Sequence, residues 1–230
     1  MPLPKYRPEY RYNGKPNLFE FYLFINPIGQ RCYRCEKDLT DAFRLIAPQV
    51  VDFHILPFHN QETTRLFMNR YPEEGKTLAQ RNRYFRRIYL ASLAYKAASM
   101  QGKRLGRKFL FQAQERFDDL RACQSDQEVK QVLEEIARSV HLDLEIFSSD
   151  LTSDFVRELF LRDQKIAHEM GVKHTPSLVI FEHQSDSDGI RLENAIDHEA
   201  VFRELDQLFE SNSQEIQVAD NQKIISWDFC

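Results

Sequence analysis

The pair Cys32-Tyr33-Arg34-Cys35 follows the first apolar run of the chain, and Thr175-Pro176 opens another apolar run far downstream. Two cysteines at this spacing perform dithiol exchange when the first begins a helix, where unpaired N–H groups and the helix dipole favour thiolate. In that chemistry Cys32 attacks a disulfide and Cys35 resolves the mixed disulfide. A cis peptide before Pro176 would leave the backbone of Thr175 open to pair with an extended partner, a small instance of strand addition. Each half also has a plainer explanation: two small residues packed on a helix face, and a proline that starts a strand.

The register of the helix decides between these. The preceding strand ends near Ile25, which leaves Asn26 to Arg31 before the first cysteine, about one helical turn too many for a thiol that opens the helix. If the helix starts near Ile28 or Gly29, Cys32 lies inside it and bridges poorly to Cys35, because helical rotamers seldom supply disulfide geometry. If it starts at Cys32, the pair is well placed. In either register Arg31 and Arg34 are expected to lower a neighbouring thiol pKa.

The elements that must position these residues follow from periodicity. Leu18 to Ile25 is almost continuously apolar, as a strand buried on both faces requires, and Asn26-Pro27 ends it. A helix over 31–47 and a strand over 50–56, stopped by Pro57, complete a βαβ unit. Residues 60–150 read as helical. Phe85, Ile88, Tyr89, Leu93, Ala97 and Met100 recur along one stripe, and Phe109, Ala113, Phe117 and Leu120 continue the habit. Ser125 with Glu128 forms a capping box before a helix faced by Val129, Val132, Leu133, Ile136, Ala137 and Val140. A helix over 153–170 ends at Gly171, strands follow at 177–181 and 190–195 around a polar turn, and Asp197 caps a last helix carrying Val201, Leu205, Leu208 and Phe209. The order is βαβ, helical insert, αββα: an α/β thioredoxin-like fold with a large all-helical insertion. The expected division is an N-terminal extension over 1–17, a core over 18–59 and 151–209, an insertion over 60–150, and a tail over 210–230.

Composition sets the surroundings. The 230 residues are 42% hydrophobic, enough for a sizeable core, and the formal charge of −4 gives no electrostatic ground for a nucleic-acid or membrane partner. Four cysteines, two of them in the pair, do not make a disulfide-stapled secreted scaffold. No secretory signal or spanning segment is visible, so the expectation is a cytoplasmic protein. Zinc lacks a second close ligand pair, since Cys123, Cys230 and the histidines are scattered, and no metal or cofactor is expected. The basic clusters at 81–87 and 103–108 read as solvated faces or as contacts for an acidic protein. His168 and His174 flank the proline region as candidate proton donors.

A set of motifs in fixed order carries a resemblance: Asn26-Pro27-Ile28, Ala94-Tyr95-Lys96-Ala97-Ala98, Gln101-Gly102-Lys103, Gly106-Arg107, Leu142-Asp143-Leu144-Glu145, Ala167-His168-Glu169-Met170-Gly171 and Thr175-Pro176-Ser177. From about Leu18 to Phe181 the chain resembles the DsbA-type thioredoxin-fold proteins of Gram-positive bacteria, and among them the SpxH (YjbH) group. The resemblance implies a cytoplasmic adaptor that binds the transcription regulator Spx and promotes its degradation by ClpXP. It also implies that Gly29 occupies the first-cysteine slot and Cys32 the second, with Cys35 an extra cysteine one turn on. Gly29, Thr175 and Pro176 then form a peptide-binding site, while Cys32 and Cys35 are the candidate catalytic or redox-sensitive pair. The Cys/His-rich N-terminus of some members is missing, and the C-terminal extension is reduced to a short tail. Oxidoreductase or isomerase activity of Cys32 and Cys35 is the alternative. Conjugation of glutathione in the insert is a further reading, which lacks a stabilising group at Gly29.

Overall fold

The computed structural model describes residues 19–45, 51–71, 77–182, 189–193 and 196–207. Strands β1 (Phe19–Ile25), β2 (Val51–Pro57), β3 (Ser177–Glu182) and β4 (Ile190–Glu193) form one sheet in the order β2-β1-β3-β4. Helix α1 (Gln30–Phe43) joins β1 to β2, and among the described residues seven helices separate β2 from β3. They are α2 (Gln61–Met68), α3 (Leu78–Met100), α4 (Lys103–Glu115), α5 (Phe117–Ala122), α6 (Asp126–Ser139), α7 (Leu144–Thr152) and α8 (Asp154–Glu169). A further helix, α9, covers 198–207 among the described residues. The chain therefore follows the expected βαβ, helical insert, αββα order. The N-terminal extension, the tail with Cys230, and Leu18, Val50, Ala195, Leu208 and Phe209 lie outside the described residues, as does most of the polar turn between β3 and β4.

Local chemistry explains where the helices begin. Asn60, Thr77, Ser125, Asp143 and Ser153 each turn a side-chain oxygen onto a first-turn N–H of α2, α3, α6, α7 and α8, which satisfies donors that have no partner within the helix. Asp197 does the same for α9, accepting from Ala200 N–H at 2.8 Å. At Ser125 the carboxylate of Glu128 departs from the reciprocal box. One oxygen takes the Ser125 hydroxyl at 3.0 Å, and the other takes Gln124 N–H at 2.9 Å. Gly171, at φ +65°, closes α8 in the left-handed region that glycine tolerates.

The chain folds as two compact units, one of residues 1–22, 38–54 and 178–230, the other of residues 23–37 and 55–177. In the first, an aromatic cluster anchors sheet to helix. Phe43 of α1 meets Phe21 and Phe53 edge-on, at 4.9 Å to each. Pleating sends the next side chain of β1 to the other face, where Tyr22 stacks on His54 at 4.9 Å. In the second unit, α3 is buried around most of its circumference, including Ala91, Ser92, Leu93, Ala94, Tyr95, Ala97 and Ala98. The single stripe expected from spacing is thus a correction: Met100 is 46% exposed and Phe85 and Tyr89 are only half-buried, because partners pack on several sides of this helix. Gly106 makes the close approach of α4 possible. A Cβ there would collide with Ser99 Oγ and stand 2.9 Å from Ser99 Cα. Lys96 and Asp163 form a buried ion pair at 2.7 Å between α3 and α8. Gln164 of α8 accepts from His59 N–H at 2.9 Å and donates to Pro57 O at 2.8 Å, holding the chain that leaves β2. Arg87, read from sequence as part of a solvated basic face, is buried, stacks on Tyr84 at 4.5 Å and donates to Cys123 O.

Candidate functional site

The site is built by the turn that ends β1. Asn26 Oδ1 accepts from Ile28 N–H at 3.0 Å, and Asn26 O accepts from Gly29 N–H at 2.9 Å, with Pro27 supplying the preset φ of a turn's second residue. Gly29 lies immediately before α1, its carbonyl accepting from Tyr33 N–H at 3.0 Å. The helix starts at Gln30, so Cys32 is its third residue and lies inside the first turn.

Cys32 is folded back under that turn. Its Sγ accepts from Asn26 N–H at 3.2 Å, and the residue is 2% exposed. A Cβ on Gly29 would lie 3.3 Å from the same sulfur. The Thr175 side chain comes near enough to Cys32 to favour its thiolate, so the chain before β3 meets the start of α1 beside this residue. The Thr175-Pro176 peptide is cis, and Ser177 Oγ donates to His174 O at 2.8 Å just beyond it. Gly29, Cys32 and Thr175 therefore converge. Cys35 lies a turn further along α1, buried, and both cysteines are free thiols.

Electrostatics disfavours thiolate here. Burial pushes the Cys32 thiol up to about 12, against the pull of the Asn26 N–H; Glu36 adds to the rise, while Arg70 and Thr175 oppose it. The lowering expected from Arg31 and Arg34 is a correction: burial raises the thiol, and the arginine that opposes the rise is Arg70. A thiol held neutral is a weak nucleophile, and no second sulfur stands at Gly29 to receive or resolve a mixed disulfide with it.

Glu36 belongs to the same helix face and escaped the sequence analysis. It is buried, accepts from Gln114 Nε2 of α4 at 2.6 Å, and burial pushes its carboxyl up to about 8, opposed by that hydrogen bond and by Arg107. The signal was present in the spacing: Cys32, Cys35, Glu36, Leu39 and Ala42 form one buried stripe of α1, and a carboxyl sits in its middle. Arg70, beyond α2, is the other residue missed. His168 is exposed and His174 half-buried; Cys123 is buried at the end of α5, with Sγ donating to Asp119 O. Among the described residues no group of three or more His, Cys, Asp or Glu is gathered to hold a metal. No described helix is long and apolar enough to cross a membrane.

Fold and site together define a DsbA-like thioredoxin-fold protein. Solved structures agree at the level of fold: Pseudomonas aeruginosa DsbA superposes with a TM-score of 0.57 at 14% identity over 92% of this chain and 91% of that one. Oxidised BdbD from Bacillus subtilis gives 0.56 at 14% identity over 89% and 97%. The thioredoxin family pattern matches residues 22–203. Among curated proteins, the ClpXP adapter protein SpxH of Bacillus cereus (ATCC 10987) is 34% identical over 82% of this chain and 68% of its own length. That of Bacillus subtilis is 28% identical over 86% and 69%. The chain belongs to the thioredoxin family and, within it, to the SpxH group.

Proposed function

We propose that this protein is a cytoplasmic adaptor that binds a regulator of the Spx type and presents it to ClpXP. The observation that carries the reading is identity to proteins named ClpXP adapters along more than four-fifths of the chain. The site supports it from the chemical side. Gly29 replaces a first sulfur, Cys32 is a buried neutral thiol, and Thr175 stands beside them, an arrangement suited to binding rather than turnover. In this proposal Gly29, Thr175 and Pro176 form the peptide-contacting wall, and Cys32 with Cys35 is an oxidation-sensitive element behind it. Residues 18–59 and 151–209 act as the thioredoxin core, 60–150 as the insertion, and 1–17 and 210–230 as appendages. The test is degradation of purified Spx by ClpXP with and without this protein. Faster loss of Spx is expected, and an unchanged rate removes the proposal.

The Cys32–Cys35 spacing favours a second reading, dithiol–disulfide exchange. Insulin reduction by the wild type that disappears in Cys32→Ser would establish it. No turnover in either protein would dismiss it.

A further inference from the structure

Phe85 and Tyr89 read as core residues in the sequence, yet both stay half-buried, and Leu78, a turn from the start of the same helix, is 73% exposed. At about 100° per residue, Leu78, Asn82, Phe85, Tyr89 and Lys96 fall within about 60° of one another around α3, so they share one face. Helix α8 covers that face further along: the Tyr89 ring meets Phe160 at 5.3 Å, and Lys96 pairs with Asp163 at 2.7 Å. The opening turns, from Leu78 to Phe85, border instead a groove of about 640 Å³ between α3 and α2. Thr64 and Met68 of α2, both buried, form its floor, and the Phe85 ring is backed by His59 at 4.3 Å. The polar groups here are spent within the protein. The Thr64 hydroxyl donates to Asn60 O at 2.8 Å, and Glu62 and Arg65 on the rim hold each other at 2.8 and 2.5 Å. Asn60 and Thr77 cap the two helix N-termini, and the walls are helices whose backbone groups bond internally, so the groove offers no strand edge to an extended peptide. An apolar floor under a polar rim is the anatomy of a protein interface, and the same face of α3 shows what fits it, because a helix covers it at Tyr89 and Lys96.

We propose that the groove between α2 and the opening turns of α3 receives an amphipathic helix of a partner polypeptide, its aliphatic side chains seated against Leu78, Phe85 and Met68. Leu78 to Phe85 spans about 10 Å, or two helical turns, so the occupant contributes apolar residues at i, i+3 or i+4, and i+7. Selection is by shape and apolar area, since the charges on the rim already satisfy each other at Glu62 and Arg65. The groove shares no residue with Gly29, Cys32 and Thr175, so the inference goes beyond the adaptor reading of that site and does not depend on it.

The probe is a fluorescein-labelled helical peptide of about twenty residues built from alanine, glutamate, lysine and leucine with no net charge, its leucines at i, i+3, i+4 and i+7. Anisotropy compares it with a peptide of identical composition whose leucines are spread around the helix. Wild-type protein should bind the striped peptide at least about tenfold more tightly than the scattered one. Leu78→Lys, which removes an exposed wall, and Asn82→Trp, which fills the groove from an exposed position, should each weaken it about fivefold to tenfold. Leu161→Lys, at a site on α8 that is 62% exposed, should leave the affinity unchanged. Raising salt from about 0.05 M to about 0.3 M should also leave it unchanged, as apolar docking requires. Thermal melts verify that the variants fold. Equal binding of the two peptides, full affinity in both Leu78→Lys and Asn82→Trp, or a loss in Leu161→Lys equal to that in Leu78→Lys would each overturn the proposal. So would two other occupants: the apolar dye N-phenyl-1-naphthylamine taken up and displaced by Asn82→Trp while neither peptide binds, or a dimer in sedimentation that Leu78→Lys dissociates. The assay contains neither Spx nor ClpXP, so failure of the groove leaves the adaptor reading to its own degradation test, and failure of that test leaves the groove to this one.

Discussion

Replacing Gly29 by cysteine should turn this site into a working dithiol. The backbone at Gly29 lies outside the left-handed region, so a side chain is conformationally allowed, and its Cβ would lie 3.3 Å from Cys32 Sγ. In a disulfide the Cβ of one cysteine stands about 3 Å from the sulfur of the other, a consequence of the S–S length and the bond angle at sulfur, so a shift of a few tenths of an ångström closes the bond. The same Cβ would meet Asn26 O at 3.1 Å and Asn26 Cβ at 3.2 Å, which sets a packing cost of about 1 kcal/mol. In the wild type, a thiol at about 12 rather than 9 has about a thousandfold less thiolate at neutral pH, so exchange by Cys32 alone should be close to background. A sulfur at position 29 would sit just ahead of the first free N–H groups of α1, where thiolate is favoured. The assay has two parts. Oxidised Gly29→Cys should lose two hydrogens by mass, with the bond mapped by peptide digestion to the introduced thiol and Cys32. Its insulin-reduction rate should rise at least about tenfold above wild type and fall back when Cys32→Ser is added. A folded Gly29→Cys protein that forms no bond to Cys32 under oxidising buffer would refute the placement of Gly29 against that sulfur.

Other consequences follow from buried groups and close approaches. Iodoacetamide should modify Cys32 in the native protein at least about a thousandfold more slowly than a free cysteine, and at the ordinary rate in denaturant; equal rates in both would contradict its burial and raised pKa. Glu36 is an acid whose folded pKa, about 8, exceeds its ordinary 4.5, so the folded state holds the extra proton and stability declines as pH rises from about 4.5 to 8. His59, lowered by burial to about 4 from 6.5, works in the opposite direction, adding stability as pH rises through about 4 to 6.5. The two oppose each other up to about 6.5, and the decline from Glu36 stands alone above it. Glu36→Gln should therefore flatten the fall in Tm between pH 6.5 and 8, a difference of up to a few kcal/mol, and a parallel decline in both proteins would rule the assignment out. Gly106→Ala drives a methyl into Ser99 Oγ and to 2.9 Å from Ser99 Cα, and should cost about 1–3 kcal/mol, or roughly 2–10 °C in Tm by differential scanning calorimetry. An unchanged Tm would show that α3 and α4 separate freely there.

Much of the architecture was legible in residue types because it rests on local rules. The nearly continuous apolar run after Leu18 reads as a largely buried strand, Asn26-Pro27 must turn, and Ser125, Ser153 and Asp197 carry oxygens that reach their own helix starts. The cis peptide at Pro176 and the halting of α8 at Gly171 were read from the same kind of signal. Periodicity failed on α3, where a one-sided stripe was expected: a helix packed on several sides has no single polar face to betray its orientation.

The character of the site was a different matter. Sequence could place Cys32 either at the head of a helix or within it, and the motif order alone suggested Gly29 for the first slot. The turn at Asn26, whose side chain holds Ile28 N–H while its own N–H reaches the sulfur, set the helix start at Gln30 and the thiol out of water. The arginines beside Cys32 suggested an activated thiol, but desolvation acts through every atom packed around a group, and that packing came from residues scattered from Asn26 to Thr175. For the same reason Glu36, an ordinary surface-type residue on paper, became a neutral buried acid once α4 placed Gln114 over it. What the chain determined by itself was the order and ends of its elements, because those depend on neighbours a few residues away. What only the folded structure decided was the charge state of the side chains buried around Cys32, because a pKa is set by the dielectric and dipoles that distant segments bring together.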